Sequence, residues 1–462
     1  MKNFKHRILF YSLIIFSLIL SLTDTSHASV AMRLPQYINE ILLNNHSLRA
    51  GVKNVEAGYY SVLASVAYQK PNISVSANES YTTRILSTPE DHVFAGNISA
   101  VYTQRIDISN SYTLDEKQNI LGYEVSRANF DNTINTTIAT AEQTWWSAVL
   151  ARENMKLQKE ILLQRSENHR VTVEKFNQEL VPRLDIVRSE AQVVEAETLA
   201  KTAETTYLNL LAELSLMAGG LDVEPVDEEL QVPEFDVALN YEEALEYRPD
   251  VRAARLNLER AKYVKALAEK GMKPTLNFRF QWTAWADPES STTPNSSQAG
   301  ASLTLTLPIY DGKATKYKVM NTDRLIQAAE SNLENLREQT RRDITVAMNN
   351  WRNAAASEHD KKRQVERSEE ELRITELMYA EGMGAQIDLI NAQTAYQTVK
   401  TQYLDAVKNM YVALVALRKA IGDYSPDENG TWKEAVVRYG KGKDIIGETG
   451  LKTLRTNAKK KK

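Results

Sequence analysis

The sequence predicts a mainly α-helical chain with transmembrane β-structure. Each chain contributes four β-strands and long antiparallel helices in two repeats, and chains trimerise into a 12-stranded β-barrel set on an α-helical barrel. Three observations predict this: a duplication at constant offset, two short regions of alternating apolar and polar residues, and helical stretches too long for any globular domain.

The duplication comes first because it organises the rest. Residues 38–107 align with 241–310 without a gap at an offset of 203, pairing Arg49-Ala50 with Arg252-Ala253, Asn54 with Asn257, Glu56 with Glu259, Pro71 with Pro274 and Thr103 with Thr306. The same offset returns later, pairing Asp185 with Asp388, Leu211 with Leu414 and Gly219 with Gly422; between them Trp146 matches Trp351 after a slip of two. The expected organisation is a first repeat over 29–219, a crossing segment over 220–240 rich in Gly, Pro and acids, a second repeat over 241–422, and a polar tail over 423–462.

Each repeat carries its elements in the same order. A helix of about thirty residues is expected from near Pro35 to Lys70 and again from Tyr241 to Lys273, stopped by Pro71 and Pro274, which cannot continue it. Two strands follow, then two long helices: Tyr112 to Gln178 with Asp185 to Ala218, and Ala314 to Glu381 with Asp388 to Ile421. A helix of that first length is about 100 Å long at about 1.5 Å per residue, so it serves as a spacer. In the last helix Ala392, Ala395, Val399, Tyr403, Ala406, Met410, Leu414, Leu417 and Ile421 form one narrow seam. Its average step of about 3.6 residues predicts helices packed nearly straight, side by side, around a cylinder.

The strands of the second repeat alternate cleanly. Leu276, Phe278, Phe280 and Trp282 share one face, as do Leu303, Leu305 and Leu307, against Thr, Asn, Arg, Gln and Ser on the other. The first repeat answers with Ile73, Val75, Ala77, Ala100 and Tyr102. Runs of about ten residues suit tilted strands crossing a bilayer. Polar loops are expected over Ile85 to Ala95 and Trp285 to Gly300. A soluble half-buried sheet would show the same alternation, but nearly all the remaining chain is long helix and offers no covering layer. Four strands leave two bare edges, which lipid does not permit, so several copies must close one barrel. Eight strands enclose only side chains, whereas twelve leave a lumen, which predicts a homotrimer in outer-membrane lipid.

Composition narrows the function classes. The net charge of -4, from 56 bases against 60 acids, leaves no basic surplus for nucleic acid. Residues 1–28 read as a signal peptide: a basic start, an apolar run from Ile8 to Leu22, and Ser26-His27-Ala28 at the cleavage spacing. No later stretch has eighteen consecutive apolar residues, so no spanning helix is expected. The absence of cysteine removes thiol catalysis, zinc-thiolate sites and a lipid-bearing cysteine. His46, His92, His169 and His359 lack ligand spacing, and Gly440-Lys441-Gly442-Lys443 lacks that of a phosphate loop. No catalytic residue, metal or cofactor is expected, and the protein is not read as an enzyme.

With the repeat, the strands and the turns in hand, the chain resembles the TolC-type outer membrane efflux family over residues 35–422. The most specific segments are the two helix-turn-helix tips, Phe176-Asn177-Gln178-Glu179-Leu180-Val181-Pro182-Arg183-Leu184-Asp185 and Tyr379-Ala380-Glu381-Gly382-Met383-Gly384-Ala385-Gln386-Ile387-Asp388, with Leu307-Pro308-Ile309-Tyr310-Asp311-Gly312 where strand passes to helix. The resemblance implies an exit channel in the cell outer membrane, with its helical part in the periplasm, serving a tripartite efflux or type I secretion system. It implies a periplasmic adaptor and an inner-membrane pump as partners. It also implies a pore constriction at Asp388, with Asn391 where some members carry a second acid, and Asp185 as the repeat mate. Gly382, Met383, Gly384, Leu180 and Val181 would be the adaptor-contact tips. A helix N-cap is the structural alternative for both Asp185 and Asp388, compatible with the constriction, and is the favoured reading for Asp185. The alternative for the whole chain is an exported structural or adhesive coiled-coil protein.

Overall fold

The structure, a computed structural model, describes residues 29–84, 91–226, 241–286 and 295–424. The expected signal peptide, most of the crossing segment (227–240) and the tail beyond residue 424 lie outside them. In chain order the elements are β1 (Val30–Met32), α1 (Leu34–Asn44), α2 (His46–Ala67), β2 (Asn72–Arg84), β3 (Asp91–Ile106), α3 (Ser111–Asn177), α4 (Arg183–Met217), β4 (Val223–Pro225), α5 (Tyr241–Tyr247), α6 (Pro249–Ala268), β5 (Thr275–Ala286), β6 (Asn295–Thr306), α7 (Ala314–Ala380) and α8 (Gln386–Ala420). Helices α3 and α7 are each 67 residues long and α4 and α8 each 35, with starts and ends 203 apart. Equal lengths leave no net insertion between the two copies of these helices.

The chain forms two compact units, each drawing on both halves of the sequence. Of the described residues the first contains 29–45, 141–226 and 357–409. In it Tyr37 stacks on Trp145 with ring centroids 5.0 Å apart, both fully buried, and the Tyr37 hydroxyl donates to the Leu214 carbonyl at 3.1 Å. Burial holds that phenol far above its usual pKa. Helix α3 meets α8 through polar side chains: Gln397 donates to Gln158 at 3.1 Å, Arg165 to Thr394 at 3.1 Å and Gln386 to Thr172 at 3.1 Å. Helices α7 and α8 zip through Leu372, Leu389 and Ala392, with Tyr379 and Tyr396 against them.

The parallel pair β1–β4, Val30 opposite Val223 and Met32 opposite Pro225, had no sequence signal because three-residue strands are too short to show a period. The Arg152 guanidinium donates to the Pro225 carbonyl and so holds β4 against α3.

Of the described residues the second unit contains those within 46–140, 241–356 and 410–424. Its core joins Ala244, Ile344, Met348, Leu417 and Ile421, with Trp351 packed beside them, and a second cluster of Leu245, Val251 and Leu333. Helix α2 lies so close to α3 that a Cβ on Gly51 would collide with the Phe130 ring. An ion pair between Asp131 of α3 and Arg252 of α6 is almost wholly enclosed. Burial lifts the Asp131 carboxyl to about 6, although Arg252 and Arg127 pull it down.

The single thirty-residue helices expected at the start of each repeat are broken. Asn45 and Arg248 adopt extended conformations, with ψ of 120° and 119° respectively. At Arg248 the following proline disfavours the helical conformation. At Asn45 the break follows from packing: its amide donates to the Met217 carbonyl at 2.9 Å, capping α4, as Arg248 caps α8 through Ala420 at 3.3 Å. The chain then approaches closely. Gly219 has φ +76°, and a Cβ there would sit 2.6 Å from the Asn44 carbonyl oxygen.

The four-stranded sheet belongs to the second unit and has the order β2-β3-β5-β6, all antiparallel, leaving β2 and β6 as open edges. The strands outrun the alternation. β2 pairs with β3 up to Arg84 opposite Asp91, and β6 starts at Asn295, so Asp91–Ala95 and Asn295–Gly300 are strand rather than loop. Backbone pairing, not side-chain polarity, sets where a strand ends.

Candidate functional site: the strand wall and the helical turns

The register shows what the sheet can do. Leu276 stands opposite Leu305 and Ile106, Phe278 opposite Leu303 and Gln104, Phe280 opposite Ala301 and Tyr102, and Trp282 opposite Ala299 and Ala100. Ile73, Val75 and Ala77 continue the row on β2. One face of all four strands is therefore apolar apart from Gln104 and a few positions toward the far ends, and it is bare: Ile73 and Val75 are 71% exposed, Leu303 64% and Leu305 62%. Leu307, expected on this face, lies one residue past the end of β6 and is also exposed. The opposite face carries Ser, Thr, Asn, Gln and Arg, knitted by Ser76 to Ser99 at 2.8 Å and by Arg279 to Gln281 at 2.9 Å. A twelve-residue strand tilted by about 40° rises about 30 Å, the thickness of a bilayer core.

Where strand passes to helix, aspartates close the ends. The Asp107 carboxylate accepts the backbone N–H groups of Ser111 at 2.9 Å and Tyr112 at 3.0 Å, and Asp311 accepts that of Thr315 at 2.8 Å. The Thr315 hydrogen bonds hold Asp311 below the usual carboxylate range. Asn110 and Lys313, 203 residues apart, both adopt positive φ there, 61° and 70°.

The two helical turns lie in the first unit and close alike. Leu180 N–H donates to the Lys175 carbonyl at 2.9 Å and Met383 N–H to the Met378 carbonyl at 2.9 Å, the closure that requires a left-handed residue just before. That residue is Gly382 in the second turn, φ +72°, and Glu179 in the first, φ +60°. Glu179 thus takes a glycine's conformation without being one, which a search for glycine at this place misses. Leu180 and Met383 occupy matching positions and are 67% and 72% exposed, with Val181 and Gly384 half-buried beside them. Lys175 lies 4.1 Å from the Tyr379 ring centre, bringing the ends of α3 and α7 together.

Asp185 and Asp388 are not N-caps. Pro182 caps α4, and both aspartates sit in the first turns of α4 and α8, where their charge still complements the helix dipole. The repeat then differs in one respect. Asp185 has Arg188 one turn on, 3.9 Å away, whereas the matching position after Asp388 is Asn391. Asp388 and Asn391 are both exposed.

No helix among the described residues is long and apolar enough to cross a membrane, while the bare sheet face has the height of a bilayer core. Such a sheet, attached to helices of this length, defines an outer-membrane channel protein. A model of the family described as "Outer membrane efflux protein" matches residues 240–423. The outer membrane protein TolC of Escherichia coli (strain K12) is 22% identical over 424 residues, covering 87% of this chain and 85% of its own length. Protein CyaE of Bordetella pertussis is 21% identical, covering 85% and 84%. The open-state structure of the Neisseria gonorrhoeae MtrE outer membrane channel superposes with a TM-score of 0.73 at 21% identity, over 87% of this chain and 94% of that one. Over most of its length the chain is thus similar to the TolC-type outer membrane efflux proteins, and its second repeat matches that family's model. These are channels and not enzymes, homotrimers that interact with periplasmic adaptors and inner-membrane pumps, and they sit in the outer membrane with the helical barrel in the periplasm.

Proposed function

We propose that this chain is the exit channel of a tripartite efflux or type I secretion system, conducting cargo passively from a periplasmic adaptor and its pump to the outside. The observation that carries the proposal is the sheet: four strands with one continuous apolar face and two open edges, which lipid tolerates only when further copies close the ring. Three copies make twelve strands, with Leu276, Phe278, Phe280, Trp282, Leu303, Leu305 and Leu307 toward lipid. The repeats 29–219 and 241–422 then act as two equivalent helical hairpins per chain. Leu180, Gly382 and Met383 present exposed surface at the turns for an adaptor, with the half-buried Val181 and Gly384 beside them. Asp388 forms the constriction, with Asn391 and Asp185 near it. The absence of a basic residue one turn after Asp388 supports that assignment, because an acid without a neighbouring cation is free to attract one from solution.

The test is a planar-bilayer recording of the purified trimer with a trivalent cation added from the periplasmic side. Asp388→Ala should weaken the block, while Asp185→Ala, whose charge Arg188 already offsets, should change it little. A stable detergent-solubilised monomer with full β-structure removes the channel reading, and unchanged block in Asp388→Ala removes that residue from the gate.

A further inference from the structure

The polar face of the sheet is not neutral. In register it presents Asn72, Ser74, Ser76, Asn78 and Ser80 on β2, then Asn97, Ser99, Val101, Thr103 and Arg105 on β3. It continues with Thr275, Asn277, Arg279, Gln281 and Thr283 on β5 and Gln298, Gly300, Ser302 and Thr304 on β6. Among the described residues this face carries Arg105 and Arg279 at the end nearest the helices and, at the far end, Arg84 opposite Asp91 in register, so two arginines remain without an acid in the same rows; Glu79 falls on the apolar face. Thr103 stands opposite Arg279 and Arg105 opposite Asn277, so the two arginines are diagonal neighbours on adjacent strands, about 7–8 Å apart. Both are exposed, and Arg279 makes one side-chain bond, to the neutral Gln281. Asp107 and Asp311, in the two strand-to-helix turns that follow β3 and β6, lie beyond the strands with their carboxylates turned onto helix N-termini. There the positive end of the helix offsets their charge.

We propose that Arg105 and Arg279 form a cationic band around the barrel lumen, at the end nearest the helices, and that this band makes the outer part of the pore selective for anionic solutes. The proposal rests on the channel reading above and deepens it. Two arginines per chain become six per trimer at neighbouring levels. A twelve-stranded barrel has a backbone radius of about 12 Å, from a strand spacing of about 4.8 Å and a tilt of about 40°. An extended arginine reaches about half that way inward, so the guanidinium groups stand within about one Debye length of the axis at physiological salt. Their fields therefore overlap across the whole opening, and the low-dielectric wall focuses them along it. Rings of charged side chains set selectivity in this way, arginine for anions and phosphates. Guanidinium, with its planar fork of donors, favours carboxylate and phosphate groups over halide. The chain would then carry charges of opposite sign at two places, acid at the Asp388 turn and base at the strand wall, so a permeating ion meets two filters instead of one.

The experiment is the reversal potential of single trimers in a planar bilayer under a tenfold KCl gradient. Wild type is compared with Arg105→Ser/Arg279→Ser, whose serines match the neighbouring polar face, and with the charge-keeping Arg105→Lys/Arg279→Lys. The serine variant should lower the chloride-to-potassium permeability ratio by severalfold, and the lysine variant should leave it near wild type. Asp388→Asn should move the ratio in the opposite direction. Tripolyphosphate added from the outer side supplies an independent arm on unmodified protein. It should block wild type at micromolar to millimolar concentration, and more strongly than it blocks any assembled serine variant. An unchanged permeability ratio in the serine variant overturns the proposal. If that variant does not assemble, absence of outer-side block in wild type overturns it. A protein that conducts no current at all fails the channel reading itself.

Discussion

Replacing Arg252 by methionine tests the most enclosed charge in the second unit. Asp131 is 4% exposed and Arg252 9%, so removing the guanidinium while keeping similar bulk leaves a carboxylate with no water to solvate it. Breaking a buried pair from one side costs about 3–5 kcal/mol, whereas replacing both partners by apolar groups is often neutral or stabilising. The pH dependence has a definite sign. In the wild type the folded pKa of Asp131 is about 6, above an unfolded value of about 3.9, so the folded state binds the proton more tightly.

The stabilisation from that proton is complete below about pH 4 and disappears as the pH rises through 6, a swing on the order of 3 kcal/mol. Without Arg252 to attract the ionised form, the carboxyl protonates at still higher pH. The Arg252→Met penalty should therefore be large at pH 8 and shrink toward pH 5. The double variant Asp131→Leu/Arg252→Met should recover most of the loss at pH 8. The assay is scanning calorimetry of the trimer in detergent at both pH values and one fixed scan rate, since unfolding of such assemblies is irreversible. Equal penalties at the two pH values, or a double variant as unstable as the single one, would refute the reasoning.

Leu305→Arg places a charge in the centre of the bare apolar face and should cost about 2–4 kcal/mol per chain in lipid, whereas Thr304→Arg points to the other face. Yields of heat-modifiable trimer in outer membranes check this, and equal yields contradict the assigned faces. Gly219→Ala should destabilise clearly more than Gly382→Ala. Both need positive φ, but only at Gly219 does the new Cβ strike backbone, the Asn44 carbonyl, while nothing lies within 4 Å of the one at Gly382. Calorimetry of the two variants decides. Glu179→Gly should stabilise the first turn by about 1 kcal/mol, because the left-handed conformation already present there is the one glycine adopts without strain; no gain in melting temperature counts against it.

The fold class was legible in single residues. Alternation at Leu276, Phe278, Phe280 and Trp282 reports a strand because its side-chain period of two is local, and Pro71 and Pro274 report helix ends because proline acts on its own backbone. The length of α3 and α7 follows from unbroken helical character, and the duplication doubles every such signal. The turns were half legible. Gly382 advertises its conformation, but Glu179 adopts it under the pull of the same hydrogen-bond closure. Asp185 and Asp388 could be placed at helix starts but not distinguished from caps, because a cap is defined by dihedral angles that the chain settles only when folded.

What the tertiary structure alone decided depends on residues far apart in sequence. The break at Asn45 exists because its amide reaches Met217, and β1 exists because Val223 lies beside Val30. The pairing of Asp131 with Arg252, across 121 positions, has no periodicity to betray it. The cationic face of the sheet needed the register as well: Arg105 and Arg279 become neighbours only because β3 pairs with β5 across the two repeats, opposing Thr103 to Arg279. Local preferences are written residue by residue and survive in the sequence, whereas contacts between distant residues come from packing the whole chain at once, and no window of sequence contains both partners.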